Sequence, residues 1–314
     1  MSWKKGEQVF QWDNFSLGKS FSHASVPFAL HLEDDDFMVY FGARDEKGHS
    51  LPFCIKAQIK DGRFLLKGEP IGPLMGVGAL GTFDDSGVMP TCVVKHGGAY
   101  WMYYIGWNPQ VTVSYRLSIG LAISQDGIHF ERYSPAPLMD RSLEEVYFNT
   151  APYVVKGQQG WEMYYVSCTA WKVLDGKTEP QYTVKRAISN DGMHWHRENK
   201  ILLEYDEQGE AFGRPCLLNS SAEKRTLFFS FRKLLGYRNV VGSAYQTAYA
   251  EWDEDLEIWK KKYADTLPLG QEGEWDEQMA CYGHVFEHHG IHWMLYNGND
   301  FGKSGFGYAQ WSAE

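Results

Sequence analysis

Acidic side chains occur just upstream of several strand-like segments, and two of them hold equivalent places. Counting back five residues from Pro90 gives Asp85, and the same count from Pro215 gives Glu210. Two carboxylates facing each other across one channel can divide acid/base work, since one protonates a leaving oxygen while the other activates water. Opposed carboxylates of this kind hydrolyse glycosidic bonds. With two further acids close by, the predicted catalytic set is Asp84, Asp85, Glu210 and Asp276.

Aromatic, arginine and amide side chains at neighbouring positions complete a predicted binding site. Trp107 and Trp171 follow aromatic strand segments, and a sugar ring could stack on such faces. Arginine and asparagine supply donors for hydroxyl or carboxylate groups. Arg214 directly precedes a proline near the expected channel, where burial requires an acidic partner or an anionic ligand. The predicted binding residues are His23, Arg44, Trp107, Asn149, Trp171, Arg214, Arg232, Tyr282 and Asn299.

These assignments have structural alternatives. Glu210 is either an acid/base group, or a rim residue or salt-bridge partner of Arg214. In the segment FDDSG (83–87), one aspartate is expected to brace the turn through backbone N–H groups while the other could line the site. Asp276 lies in the turn-rich segment GEWDEQ, where a structural role is favoured. The last repeat contains a cluster of four histidines, His284, His288, His289 and His292. Its HHG turn (288–290) is expected at the opposite end of the propeller from the site, and no metal ligand is assigned there.

An internal repeat supplies the elements that must position these residues. An inner strand near a proline is followed by an aromatic pair in SVPFALHL…MVYF, VMPTCVV…WMYY, TAPYVV…EMYY and GRPCLL…LFFS, and a fifth copy, CYGHVFE…WMLY, has Gly283 at the proline position. The prolines are 63, 62 and 63 residues apart. Five such periods account for the 314-residue chain. A fixed period of this length is typical of propellers and other repeat folds.

Within each repeat, short strands rich in aromatic and β-branched residues are separated by Gly and Asp turns. Unit two contains MPTCVVK, YWMYYIGW, RLSIGLAIS and IHFERY, and Asp-Gly pairs predict tight turns with positive φ angles. The sequence therefore predicts an all-β fold, a five-bladed β-propeller of four-stranded antiparallel blades. The last repeat is one strand short, so a strand around residues 8–12 is expected to close the ring. We expect one domain over residues 1–314.

Composition narrows the possible partners. A net charge of −10 argues against a nucleic-acid or anionic-membrane partner. The N-terminal segment lacks the apolar stretch of a secretion signal, and no run approaches the ~18 apolar residues of a membrane span, so a cytoplasmic protein is expected. Five cysteines without CxxC spacing indicate neither a disulfide framework nor a zinc knuckle. The absence of a dinucleotide fingerprint or a Walker-type loop predicts no organic cofactor. Oligomeric state is left open.

The repeat, with acids at the mouth of the first strands, resembles the five-bladed propeller glycosidases of the arabinanase, levansucrase and invertase superfamily. The resemblance covers the whole chain. Four segments resemble a glycoside-hydrolase-like subgroup that is often encoded with bacterial polysaccharide biosynthesis genes: FDDSGVMP, SIGLAISQDG, EWDEQMACYGHVFE and LYNGNDFGKSGFGYA. The resemblance implies a propeller fold, a carbohydrate ligand and two-carboxylate chemistry on a glycosidic bond of a bacterial glycan or activated sugar.

The chain departs from this family at the family's own catalytic positions. The hydrolases have an Asp directly before the inner-strand proline in blades one and three, where this chain has Val26 and Ala151. Their general-acid Glu in blade four lies two residues before its proline, where this chain has Gly213. Two hypotheses therefore stand beside each other: an enzyme using the nearby acids, or a non-catalytic glycan-binding or assembly propeller. A protein-interaction propeller, with a broad apolar patch, is the third alternative.

Overall fold

The computed structural model describes residues 3–157, 160–174, 176–206, 209–219, 225–237, 240, 242–264 and 266–311. Their strands form five four-stranded antiparallel sheets, which are the blades of a propeller. The predicted fold class is therefore confirmed.

The strands follow one another as meanders within each blade. The chain starts with β1 (Lys4–Phe10) and two short 3-10 turns at Trp12–Asn14 and Ser16–Lys19. Blade one contains β2 (Ser22–Glu33), β3 (Asp36–Arg44), β4 (Ser50–Lys60) and β5 (Arg63–Ile71). Blade two contains β6 (Val88–His96), β7 (Ala99–Pro109), β8 (Tyr115–Ser124) and β9 (Glu131–Arg132). Blade three contains β10 (Asn149–Gly157), β11 (Gly160–Leu174), β12 (Lys177–Ser189) and β13 (His196–Ile201).

Blade four contains β14 (Glu210–Asn219), β15 (Arg225–Lys233), β16 (Gln246–Asp253) and β17 (Ile258–Lys262). Blade five contains β18 (Cys281–His288), β19 (Ile291–Asn297) and β20 (Phe306–Trp311), with one helical turn, α1, at Asn299–Gly302. Its fourth strand is β1, which pairs antiparallel with β20 in the order β1-β20-β19-β18. The predicted closure by the N-terminal strand is confirmed, although that strand spans Lys4–Phe10 instead of residues 8–12.

Aromatic packing holds the closing strand in place. The rings of Phe10 and Phe306 stack with centroids 5.0 Å apart, and Phe10 also packs 4.7 Å from Phe41 of blade one. Blade five meets blade one again at the channel, where His284 stacks 4.1 Å from Phe28 and accepts a hydrogen bond from the Ala29 N–H. Burial lowers the pKa of His284 well below its ordinary value, so the imidazole is a neutral packing residue.

The Asp-Gly turns differ from one another. At Asp61 and Gly62 both φ angles are positive, at 51° and 70°, as a two-residue hairpin requires. At Gly127 and Gly192 only the glycine has a positive φ, and the prediction of a tight two-residue turn is wrong there. The reason is that Asp126 caps the loop instead, since its Oδ1 accepts hydrogen bonds from the N–H groups of residues 128 and 129.

Tyrosines of one blade anchor these capped turns of the next blade. The Tyr40 hydroxyl donates to the Gly127 carbonyl, and the Tyr103 hydroxyl donates to the Gly192 carbonyl, each at 2.9 Å. A buried phenol keeps its hydroxyl paired in this way, while its ring fills the space between the sheets. Among the described residues, no helix has the length and apolar character needed to cross a membrane.

Candidate functional site

The residue before each inner-strand proline, or before Gly283 in blade five, faces the central channel. Val26, Met89, Ala151, Arg214 and Tyr282 all line one cavity at the mouth of the propeller. In four of the five inner strands the register changes at this position. In blade two it changes just after it, between Pro90 and Cys92, so every blade carries a bulge at or beside the ring. A bulge bends the strand and redirects a side chain, here toward the channel axis. The ring of pre-proline positions is therefore the frame of the site.

Most of these positions also have strained backbone angles. The φ angles are 58° at Val26, 48° at Ala151, 33° at Arg214 and 56° at Tyr282. A positive φ is a particular outlier for a β-branched residue such as valine. Such strain persists only where the surrounding structure imposes it, and it is concentrated at functional sites. The geometry therefore points to this ring as the place where the fold was adapted to a ligand.

The cavity has a volume of about 340 Å³. This is at the small end of the range of ~300–1,000 Å³ found for ligand pockets. Its wall contains seven aromatic residues, six aliphatic residues and three arginines, and no aspartate or glutamate occurs among the lining residues of the described chain. The lining side chains outside the pre-proline ring include Ser25, Arg44, Ile105, Trp107, Tyr115, Leu117, Thr150, Val166, Tyr182, Arg232, Tyr237, Tyr245 and Phe301.

Tyrosines at or just before the third strands form one side of this wall. Tyr115 and Tyr182 share a hydroxyl–hydroxyl hydrogen bond of 2.6 Å, and the ring of Tyr245 lies 5.2 Å from that of Tyr282. The sequence reasoning missed these residues, although a signal was present. Tyr115, Tyr182 and Tyr245 are 67 and 63 residues apart, close to the repeat period.

Arg232 is held among three tyrosines of the cavity wall, Tyr182, Tyr237 and Tyr245. Its guanidinium lies 3.8 Å from the ring centroid of Tyr237 and within 5.6 Å of the rings of Tyr182 and Tyr245. It donates to the Tyr245 hydroxyl at 3.2 Å and to the carbonyls of Pro180 and Lys233. Most of its N–H groups are therefore occupied, and its position is fixed. It contributes a buried positive charge to the cavity wall.

Arg214 is nearly fully buried, with 2% of its surface exposed. It donates to the carbonyl oxygens of Tyr282 and Thr91, and so crosses from blade four toward blades five and two. Its Nε has no hydrogen-bond partner, and no described carboxylate forms an ion pair with it. Burial lowers the pKa of Arg214 to about 10, because the charged form loses hydration without gaining a counter-ion.

Arg44 enters the cavity from the end of β3. No hydrogen bond or ion pair joins its side chain to another residue in the described part of the chain, and partial burial lowers its pKa. His23 lies close to it. Burial, together with the nearby charges of Arg44 and Lys303, lowers the pKa of His23 to about 4, so its imidazole is neutral at pH 7.

The predicted acids occupy a different place. Asp84 is 1% exposed and accepts hydrogen bonds from the Tyr104 hydroxyl at 3.0 Å and from Arg132 Nε at 2.7 Å. Asp276 accepts from the Tyr296 hydroxyl at 2.8 Å and forms an ion pair of 2.7 Å with Lys5 of the closing strand. We call such a unit, a buried acid with the hydroxyl and cation that contact it, a brace.

Glu210 forms a brace in blade four, with Lys261 at 2.9 Å and the Tyr263 hydroxyl at 2.6 Å. The sequence reasoning did not identify a fourth brace, in which Glu145 accepts from the Tyr165 hydroxyl and pairs with Lys185 at 3.0 Å. In three of the braces the acid precedes its tyrosine by 20 residues, and this repeated spacing was the missed signal. The pairing of Glu210 with Arg214, an alternative considered from the sequence, is not among its contacts in the described part of the chain.

Asp85 lies nearer the surface and holds a turn. It accepts hydrogen bonds from the Gly81 N–H, the Ser86 hydroxyl and the Asn108 side chain. Although partial desolvation raises the pKa of Asp85, these hydrogen bonds outweigh it and hold the pKa below its ordinary value. Both aspartates of FDDSG thus support local structure. Neither Asp85 nor Glu210 is among the cavity-lining residues, so the structure does not bring them face to face across the channel.

The predicted binding residues divide into two groups. Five of them line the cavity: Arg44, Trp107, Arg214, Arg232 and Tyr282. The other four lie outside its lining. Asn149 donates to the Asp140 carbonyl, and Asn299 accepts from the N–H groups of Gln278 and Met279. Trp171 packs against Tyr115 and Phe148, and His23 lies near Arg44.

Only one group of described residues has the composition and spacing to hold a metal ion, and it lies away from the cavity. The donor atoms of Asp35, His288 and His289 are within 4.8 Å of one another at the HHG tip. Asp35 Oδ1 accepts from both imidazole Nε2 atoms, at 2.8 and 2.9 Å. These hydrogen bonds lower the pKa of Asp35, and the three side chains form a hydrogen-bonded cluster at the HHG tip.

Comparison with known proteins gives one set of relatives in sequence and another in structure. No protein-family model matches the chain. In structure, the chain resembles a glycoside hydrolase (TM-score 0.70, 16% identity, 98% of this chain and 90% of that one). It also resembles BT0996 in a complex with RGII (TM-score 0.69, 16% identity, 98% and 90%), and an endo-arabinase from Bacteroides thetaiotaomicron (TM-score 0.62, 10% identity, 98% of both proteins).

In sequence, the chain is 31% identical over 310 residues to MT1551 and to Rv1502, two proteins from Mycobacterium tuberculosis strains that are both called uncharacterized. The alignments cover 98% of this chain and 99% of each relative. The chain therefore belongs to the family of these mycobacterial proteins, and its fold is the five-bladed β-propeller of the glycoside hydrolases.

Proposed function

We propose that this protein binds a carbohydrate in the central cavity and does not cleave it with the acids singled out from the sequence. The observation that carries the proposal is the composition of the cavity wall. Aromatic rings and arginines meet where the five pre-proline positions converge, and no Asp or Glu lines it among the described residues. Asp84, Glu210 and Asp276 are engaged in braces instead.

The wall has the chemistry that sugar recognition uses. Trp107 and the tyrosines present ring faces to the apolar C–H side of a sugar, and their polar tips reach its hydroxyl groups. Arg44 makes no side-chain hydrogen bond with a described residue, and its N–H groups can donate to ring substituents. A cavity of about 340 Å³ suits one sugar unit, either free or at the end of a glycan.

The second candidate is hydrolysis of a glycosidic bond of a bacterial glycan or activated sugar. The fold favours it, because the structural neighbours include glycoside hydrolases. Fold alone does not carry a reaction, since the same propeller can host sites of different chemistry. Two carboxylates about 5–9.5 Å apart around the sugar would be required. The braces would have to open to supply them.

The test combines binding and turnover on the full chain. Isothermal titration with galactose, glucose, arabinose, galacturonate and glucuronate measures binding, and chromatography after long incubation with their oligosaccharides measures cleavage. We expect saturable binding without cleavage, and Trp107→Ala should weaken it about tenfold or more. Trp252→Ala is the matched control, because Trp252 lies on β16 and packs against Trp259 away from the cavity. Turnover that disappears in Asp85→Asn and Glu210→Gln would instead establish the hydrolase.

A further inference from the structure

The cavity has a charge pattern that differs from the rest of the chain. The protein contains 40 acidic and 30 basic residues. If the cavity lining had the composition of the whole chain, it would therefore contain carboxylates at least as often as cations. The described lining instead contains Arg44, Arg214 and Arg232 and no acid. The positive charge of the cavity thus has no carboxylate beside it in the lining.

Arg214 is a buried cation that has no counter-charge among the described residues. A buried guanidinium normally meets a carboxylate, because desolvation of an unpaired charge is costly. Arg214 instead donates hydrogen bonds to two carbonyl oxygens and lies near the thiols of Cys92 and Cys216. Its Nε is buried without a partner among the described residues. Carbonyl dipoles compensate only part of a full charge. An anionic group in the cavity would supply the remainder.

Arg44 supplies the donors for direct contact. It lines the same cavity, is partly desolvated, and makes no ion pair with a described residue. Arg44 and Arg214 are both beside Tyr282, since Arg214 donates to the Tyr282 carbonyl and Arg44 interacts electrostatically with its phenol. Arg232 is already held by carbonyls and tyrosines, so its contribution is the field of a fixed charge.

One buried acid, Glu179, contacts a wall residue from outside the cavity lining. The Tyr237 hydroxyl donates to Glu179 Oε2 at 2.9 Å, and Glu179 is not among the lining residues. The phenol ring of Tyr237 stands 3.8 Å from Arg232, so the acid orients this tyrosine from behind.

From these contacts we propose that the central cavity recognises an anionic sugar, a monosaccharide unit bearing a carboxylate or a phosphate, whose charged group lies against Arg44 and Arg214. The sugar ring packs on Trp107 and the tyrosine wall. Arginine suits this task because its planar fork of N–H donors matches both carboxylate and phosphate oxygens. This inference rests on the proposed carbohydrate binding and names the class of sugar.

The experiment is isothermal titration of the full chain with matched neutral and anionic sugars. Galactose is compared with galacturonate and with galactose 1-phosphate, and inorganic phosphate and acetate are titrated alone. We expect at least one anionic sugar to bind about tenfold or more tightly than galactose, with an affinity that falls as salt is raised. The uronate and the sugar phosphate distinguish the two sources of charge.

Arg44→Gln tests the contact directly. Arg44 is only partly buried and has no ion pair to lose with a described residue, so the variant should fold, which thermal unfolding verifies. Its affinity for the anionic sugar should fall about tenfold or more, and by a larger factor than any affinity for galactose. Arg63→Gln is the charge-matched control, since Arg63 is 53% exposed and pairs with Glu7 on the surface. It should bind like the wild-type protein.

The remaining outcomes separate the two proposals. Galactose bound as tightly as both anionic sugars would overturn the anionic assignment and leave carbohydrate binding intact. Phosphate or acetate bound as tightly as the anionic sugars would overturn the sugar part, since the site would then recognise an ion only. If none of these sugars, and no neutral sugar of the wider panel, binds, both proposals are overturned.

Discussion

In the braces, each buried carboxylate meets a cation and a hydroxyl, whereas in the cavity the buried arginines meet no described carboxylate. Asp84 has Arg132 and Tyr104 within 3.0 Å. Arg214 has two carbonyls and an unpaired Nε. A buried carboxylate whose charge and hydrogen bonds are satisfied within the protein stabilises the fold without a ligand. Burial of an unpaired charge lowers stability unless a ligand supplies the counter-charge, so it distinguishes the candidate site from the braces.

The largest effect is expected from opening a brace. Asp84→Ala leaves Arg132 and the Tyr104 hydroxyl without their acceptor, and breaking a buried pair in this way costs about 3 kcal/mol. The midpoint of urea unfolding should fall accordingly. Lys67→Ala, which removes a surface ion pair with Asp36, is the control and should change stability by less than about 1 kcal/mol. A wild-type midpoint for Asp84→Ala would contradict the structural role of the brace.

In the cavity, by contrast, we expect a substitution that leaves the free energy of unfolding unchanged or raises it. Arg214→Met replaces an unpaired buried cation with an apolar side chain of similar volume, and it therefore removes the desolvation cost of that charge. Unfolding in urea should therefore occur at an equal or higher midpoint. The same variant should lose affinity for the anionic sugar. A loss of stability comparable to that of Asp84→Ala would show that the carbonyl contacts satisfy Arg214, and the contrast between the two regions would disappear.

The pH dependence provides a finer comparison beside the cavity, at His23. The folded-state pKa of His23 is about 4, below its value of 6.5 in the unfolded chain, so the unfolded state binds the proton first. The stability contribution of neutral His23 is complete above pH 6.5 and is lost as pH falls toward 4. His23→Gln should show a shallower decrease in Tm over this window. Parallel curves for the two proteins would disprove the assignment, and His284→Gln is unsuitable as a control because it titrates in the same direction.

The smallest effect is expected at Asp85, which holds a turn from the surface. Asp85→Asn keeps most of its acceptor geometry and should reduce the free energy of unfolding by about 1 kcal/mol or less. Since the pKa of Asp85 is below its ordinary value, this contribution is present above the unfolded pKa and disappears as pH falls through the folded pKa. Sugar affinity should not change. A tenfold loss of affinity would place Asp85 in the binding site after all.

Much of the fold was predictable because the repeat is a one-dimensional signal. The prolines at 27, 90, 152 and 215 recur with nearly constant spacing, and each blade must bury its apolar face against the next. The missing strand of blade five was predictable for the same reason, since an open ring would expose unpaired edges. The details of turns were less predictable, because Asp126 caps a loop whereas Asp61 enters a hairpin with the same dipeptide.

The candidate site shows where sequence reasoning was insufficient. Spacing located the mouth and five of its lining residues, including Arg44, Arg214 and Tyr282. It could not show that Glu210 turns toward Lys261 and Tyr263, because those partners come from the outer part of the blade, 51 and 53 residues further along the chain. A position near the channel does not determine which way a side chain points.

The sequence by itself determined the number of blades and the closure of the ring, and it predicted the end of the propeller for the candidate site. These properties follow from period and alternation, which depend on near neighbours in the chain. The tertiary structure alone decided which charges are paired. Pairing depends on close contacts between residues far apart in the sequence, as for Asp276 with Lys5 and for Asp84 with Arg132, each at 2.7 Å. The same packing left Arg214 and Arg44 without acidic partners among the described residues, and so distinguished the supports of the propeller from its candidate binding site.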